Sequence, residues 1–273
     1  MTFNANAQSS KIIAGFNNIE SVATDGHFIY LADIGKILYP STKDNDGKII
    51  RLDRKGEIID STFIKEKLNA PKGLTVTEKI LFLTDIDRLI AIDLKTGNKL
   101  YEINFSKDTS YLRDISIQDK NTLYISASDT NKIFKVNLID KTYSKIKTDK
   151  LILGINGLSY HKKSNRIYVN SFGNNTDANG SIGYINLIDN TFTKLAIVAG
   201  NYNGIYINNN ILYTSNWFPF QKKGALLSFQ LSNLRTNTIK APKSLTGPSD
   251  FFILDDQIIV SDLINRKLHF IPL

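Results

Sequence analysis

The chain has 273 residues, 34 Lys and Arg against 26 Asp and Glu, a net charge of +8 and no cysteine. The lack of cysteine excludes disulfides, Cys-ligated zinc and thiol nucleophiles together, and no apolar stretch reaches the length of a membrane span. The positive charge is spread as single lysines on strand edges and turns, as at Lys141, Lys145, Lys147 and Lys150. There it solvates outer strands; with no dense basic run, nucleic acid is not an expected partner.

Ala5-Asn6-Ala7 before Gln8 reads as a small-residue cleavage site with no apolar region ahead of it. Residues 1–10 are therefore expected to be a disordered tail or signal remnant, and the chain periplasmic or secreted. Lys11-Ile12-Ile13-Ala14-Gly15-Phe16 follows as a spare apolar strand. A unit then returns six times: a polar dyad opening an apolar strand, a turn, and a second strand ending in a small or acidic residue. The dyads are Glu20-Ser21, Lys72-Gly73, Arg113-Asp114, Asn156-Gly157, Asn203-Gly204 and Ser249-Asp250. The second strands end at Asp33, Asp85, Ala127, Ser171, Asn216 and Asp262.

In the second copy, strands are expected over 73–76, 80–84, 89–94 and 99–103, with Gly, Asn and Asp turns between them. Four strands recurring roughly every 41 to 52 residues is the period of a propeller blade. The last copy stops after its third strand, at Phe270-Ile271-Pro272-Leu273, so the N-terminal strand is expected to complete it and close the ring. The sequence thus predicts an all-β, six-bladed β-propeller of four-stranded antiparallel blades, a single domain over 11–273, and a monomer.

The first strand of each blade lines the central channel, and the second runs back to end at the same mouth as the dyads. The longest insertions, 34–45, 172–180 and 217–223, leave from that mouth. A concave polar floor under three long loops is the expected ligand site. Trp217-Phe218-Pro219-Phe220 and Tyr39-Pro40 either form an apolar lid over it or pack the loops onto the blades. His27 and His161 fall in turns at the opposite face and His269 in a third strand, which excludes a His-based triad or zinc site at the mouth.

With these residues in view, the chain resembles the SMP-30/gluconolactonase/LRE-like propellers over its whole length, at the level of repeats. Members place Glu in the first dyad, Asn in the third, Asn-Gly in the fourth and Asp-Gly in the fifth, and these oxygens hold a divalent cation, often calcium, that polarises a lactone or ester carbonyl. The resemblance makes Glu20, Asn156 and Asn203 the metal ligands, and Asp114 or Asp250 the proton-transfer group of a hydrolase. The chain departs from the pattern at Arg113, which stands in the third-blade Asn slot, and at Asn203, which replaces an acid that could act as general base. The alternative is a non-catalytic exported propeller in which Lys72 and Arg113 hold the anionic group of a small ligand, a peptide or a partner protein, and Trp217 and Phe218 cover it.

Overall fold

The computed structural model describes residues 10–174, 177–195, 197–218 and 223–273; Ala5-Asn6-Ala7, Pro219 and Phe220 lie outside the described residues. The described residues form six four-stranded antiparallel sheets and one 3-10 turn, Lys162–Ser164. The innermost strands are Ile19–Thr24, Pro71–Val76, Leu112–Asp119, Ile155–His161, Tyr202–Asn208 and Pro248–Leu254. Each touches the inner strands of the blades before and after it, the last touching the first, so the blades form a closed ring.

Lys11–Ile13 pairs with Lys267–Pro272 in the register Lys11 with Phe270, Ile12 with His269 and Ile13 with Leu268. It supplies the outer strand of the sixth blade, as the missing fourth strand of the last copy predicts. The second strands, such as Ile80–Asp85 and Thr122–Ala127, are buried on both faces because neighbouring blades sandwich them. This is why they read as continuous apolar runs and the outer strands as polar, lysine-rich ones. Between the second and third blades the core is Phe82, Phe105, Leu123 and Phe134, continued by Tyr143, whose ring stacks on Phe105 at 4.0 Å.

Each dyad sits where the ladder to the second strand slips. Pro71 pairs with Asp85 and Leu74 with Leu83, leaving Lys72 and Gly73 opposite Thr84 alone. The same irregularity recurs in all six blades. A bulge of this kind re-aims side chains at the rim of a closed sheet, and it explains why the repeat begins with a pair of polar residues.

Candidate functional site

The residue before the end of five second strands locks blade to blade. Thr84, Ser126, Asn170, Ser215 and Ser261 each accept the amide N–H of their own blade's second dyad residue, at 2.8–3.2 Å. Each also donates to a dyad carbonyl of the next blade: those of Arg113, Asn156, Gly204, Ser249 and Glu20 respectively. Blade 1 has Ala32 at this position. The blades approach so closely here that a Cβ on Gly157 would lie 2.5 Å from the Asn203 carbonyl oxygen, hence glycine second in three dyads.

On this frame the first dyad residues converge on Arg113. Its Nη2 lies 2.9 Å from Glu20 Oε1 and donates to Asn203 Oδ1 at 3.0 Å, and its Nε donates to Asn156 Oδ1 at 2.8 Å. Asn203 Nδ2 donates to Ser249 Oγ at 3.1 Å, which donates to the same Glu20 Oε1 at 2.9 Å. The ring closes on itself. Burial is the largest influence and opposes the Arg113 charge, but Glu20, Tyr111 and Asp114 together more than offset it, and the guanidinium holds its proton more tightly than usual.

Lys72, 1% exposed, is the cation with few partners: Nζ donates to the Ala70 carbonyl at 3.1 Å and sits 4.6 Å from the centroid of Tyr111. Burial first, and then the neighbouring Arg113 charge, pull its pKa down to about 7.

The oxygens named as metal ligands are therefore committed to Arg113. A divalent ion held by Glu20, Asn156 and Asn203 would lie within ~5 Å of the guanidinium, a repulsion of ~6–7 kcal/mol at an effective dielectric of 20. One carboxylate and two amides do not offset this, since such ions call for several hard oxygens. Among the described residues no group of three or more His, Cys, Asp or Glu is arranged to hold a metal. The donor set does not fit the divalent cation that the resemblance implies.

Above the Arg113 ring lies a cavity of ≈ 520 Å³ under the long loops. Its floor is Glu20, Arg113, Asn156 and Asn203; Tyr111, Phe172, Trp217, Leu38 and Leu263 wall it. Four of the wall residues, Ser128, Phe172, Trp217 and Leu263, share one repeat position that the dyad pattern does not include, the residue directly after each second strand. It is Ile34, Ile86, Ser128, Phe172, Trp217 and Leu263, and all but Ser128 pack into one apolar collar with Ala70 and Ile264. The apolar residue at a fixed offset from each polar strand end was the available signal.

Trp217 is a wall rather than a lid: it is buried, its indole Nε1 donates to the Pro248 carbonyl at 2.6 Å, and its ring meets Phe172 edge-on. Phe218 is exposed and does not line the cavity. Asp33, Asp85 and Asp262 brace the backbone, each accepting amide N–H bonds from the segment that enters its own blade. Asp85 also meets Arg88 at 2.8 Å. Asp129 does the same for Ser110 while lining the cavity.

Asp114 and Asp250 lie on the other side of the Arg113 ring. They border a water-sized chamber of ≈ 20 Å³ beneath it and a cavity of ≈ 400 Å³ at the opposite mouth, but not the upper cavity. Asp114 accepts the amides of Ile115 and Leu158, both at 2.7 Å. Asp250 accepts the amide of Phe251 and the Ser21 hydroxyl. Burial, reinforced by the charge of Asp250, pushes Asp114 well above the usual carboxylate range; burial also lifts Asp250, to about 6. Of the histidines, His269 is buried 3.8 Å from Asp262, away from both mouths.

No family model and no curated protein matches the chain. Solved structures do. A structural-genomics protein of unknown function from Bacteroides thetaiotaomicron superposes with TM-score 0.71 at 10% identity, over 97% of this chain and 76% of that one. Catalytically inactive virginiamycin B lyase from Staphylococcus aureus, with quinupristin, gives TM-score 0.62 at 16% identity, over 97% of this chain and 100% of that one. A chain of the nidogen/laminin complex gives 0.63 at 18% identity, over 81% of this chain and 79% of that one. At such identities the likeness is one of fold, and the chain is a six-bladed β-propeller. Among the described residues no helix is long and apolar enough to cross a membrane.

Proposed function

We propose that this chain is a non-catalytic, metal-independent binding propeller that takes a small amphipathic ligand with an anionic head group in the cavity above Arg113. The observation that carries the reading is the guanidinium fixed against Glu20, Asn156 and Asn203. Those contacts use the Nε hydrogen and both Nη2 hydrogens, Tyr111 meets the guanidinium as well, and the face of Arg113 that forms the cavity floor is where a ligand oxygen meets the charge. The apolar collar suits the rest of such a ligand, and ≈ 520 Å³ is the size of a drug-like molecule's site. Descent from the SMP-30/gluconolactonase/LRE-like propellers and a periplasmic or secreted location belong to the same proposal. Lactone or ester hydrolysis through calcium is disfavoured, because Arg113 holds the ligand oxygens and Asp114 and Asp250 lie across the ring from the cavity.

Trp217 is the only tryptophan and lines the cavity, so energy transfer from it reports binding directly. Anilinonaphthalene sulfonate, an aromatic anion, is expected to bind at one saturable site with equal affinity in EDTA and in calcium. In Glu20→Gln/Arg113→Gln, which removes both charges together, the affinity is expected to drop about tenfold or more. Binding that needs calcium, or equal affinity in the double variant, refutes the proposal.

A further inference from the structure

Apolar side chains left in water are unevenly placed on this molecule. Leu151 is 73% exposed, Ile37 70% and Tyr39 62%, and Leu153, Val198 and Phe218 are exposed as well. All six lie either in the loop after a second strand or in the link from an outer strand to the next inner strand. By the up-and-down order of the blades, both kinds of segment emerge at the mouth that carries the dyads. The opposite face shows isolated cases, chiefly Ile139 and Ile188 in hairpin turns.

Single exposed apolar residues need no explanation, but six of them on four connections around one mouth do. Lysines stand between them. Lys36, Lys65, Lys67, Lys107, Lys150 and Lys223 are exposed on the same connections, and among the described residues none is in an ion pair. Projecting apolar tips interleaved with unpaired lysines form a surface suited to the boundary between anionic headgroups and acyl chains, where tips insert and lysines meet phosphates.

We propose that the loop-bearing face docks on an anionic lipid surface, with the tips of the 34–46 and 147–154 segments inserted and the cavity mouth turned toward the bilayer. An acidic protein would satisfy the lysines but give Ile37 and Leu151 no apolar medium. The proposal stands independently of what the cavity holds.

The test is co-sedimentation of the purified full chain with vesicles of phosphatidylcholine alone and of phosphatidylcholine mixed with phosphatidylglycerol. Binding is expected to the mixed vesicles only, weakened by high salt. It is expected to weaken about tenfold or more in Ile37→Ser/Leu151→Ser. Ile139→Ser/Ile188→Ser, on the opposite face, is expected to bind like the parent. All four positions are exposed, so the variants fold, and an unchanged melting temperature verifies it. Failure to prefer anionic vesicles, or equal binding by the tip variant, overturns the proposal. Binding to soluble polyglutamate without binding to vesicles overturns it in favour of an acidic protein partner.

Discussion

Replacing Lys72 by Met should make the protein more stable, by an amount that depends on pH in a defined direction. The ammonium is 1% exposed, has one carbonyl and one ring as partners, and lies near the Arg113 charge. Its pKa falls from the ordinary 10.5 to about 7, so folding opposes its charged form. Below pH 7 folded and unfolded chains are both protonated, and the folded state bears the full cost, ~5 kcal/mol. As pH rises from 7 toward 10.5 the folded chain has lost its proton and the unfolded chain has not, so wild-type stability climbs and the cost disappears near pH 10.5.

Met is unbranched and of similar length, fills the same space and carries no charge. The variant should therefore exceed wild type by ~4–5 kcal/mol at pH 6, or roughly 10 °C in melting temperature. Above pH 10 the two should agree within ~1 kcal/mol, the worth of the lost bond to Ala70. The assay is urea unfolding of both proteins across pH 6 to 10, read as a difference curve in which other titrations cancel. A Lys72→Met variant less stable than wild type at pH 6, or a difference that ignores pH, would mean that Lys72 is a well-paired cation and the reasoning is wrong.

Arg113→Met leaves the Glu20 carboxylate buried without its partner and should cost ~3–5 kcal/mol in urea unfolding. Adding Glu20→Gln should return part of that loss, and strictly additive costs would show that the two do not interact. Asp250, lifted to about 6 in the fold, stabilises below its unfolded value of 3.8 and loses that contribution, ~3 kcal/mol, as pH rises through 6. Asp250→Asn should flatten the stability profile between pH 4 and 6, and an unchanged slope would refute the assignment. Ser261→Ala removes the hydroxyl that accepts the Asp250 amide and donates to the Glu20 carbonyl at the seam between the last and first blades. It should cost ~1–3 kcal/mol, visible as a lower melting temperature.

The ring was legible because its period is covalent information: dyad, apolar run and turn recur whatever surrounds them. The observed strands Ile80–Asp85 and Lys267–Pro272 agree with the expected 80–84 and with a third strand ending near residue 271. The face bearing the site was equally readable, since antiparallel order fixes which connections share a mouth. Side-chain direction was not legible. Asp114 follows Arg113 in the sequence, yet the bulge sends one to the floor of the upper cavity and the other to the lower side. Asp33, Asp85 and Asp262 look like site carboxylates by position, and only the amides around them show that the backbone uses them. Whether Arg113 displaces a metal or flanks one is a question of distances between residues 40 to 90 positions apart, and spacing carries no information on that.

Lys72 and Arg113 crowd one end of the channel, and the number of partners decides which carries the charge. Arg113 has Glu20 and two amide oxygens; Lys72 has a carbonyl and the Tyr111 ring. Arg113 therefore stays charged, while Lys72 is close to half protonated at neutral pH. An anion seated against Arg113 on the cavity floor changes that balance. It offsets part of the Arg113 field at Lys72, raises the lysine's pKa and draws in a fraction of a proton. By linkage, affinity for the anion should be greatest below pH 7 and decline as pH rises through the raised value. Calorimetric titration of anilinonaphthalene sulfonate at pH 7 in imidazole and in Tris, non-anionic buffers whose ionisation enthalpies differ, reads the proton count directly. Uptake of up to about half a proton is expected, falling to zero in Lys72→Met with binding retained. Equal apparent enthalpies in the two buffers for the wild type would show that the cavity and Lys72 are electrostatically separate, and the floor could then be treated as Arg113 and Glu20 alone.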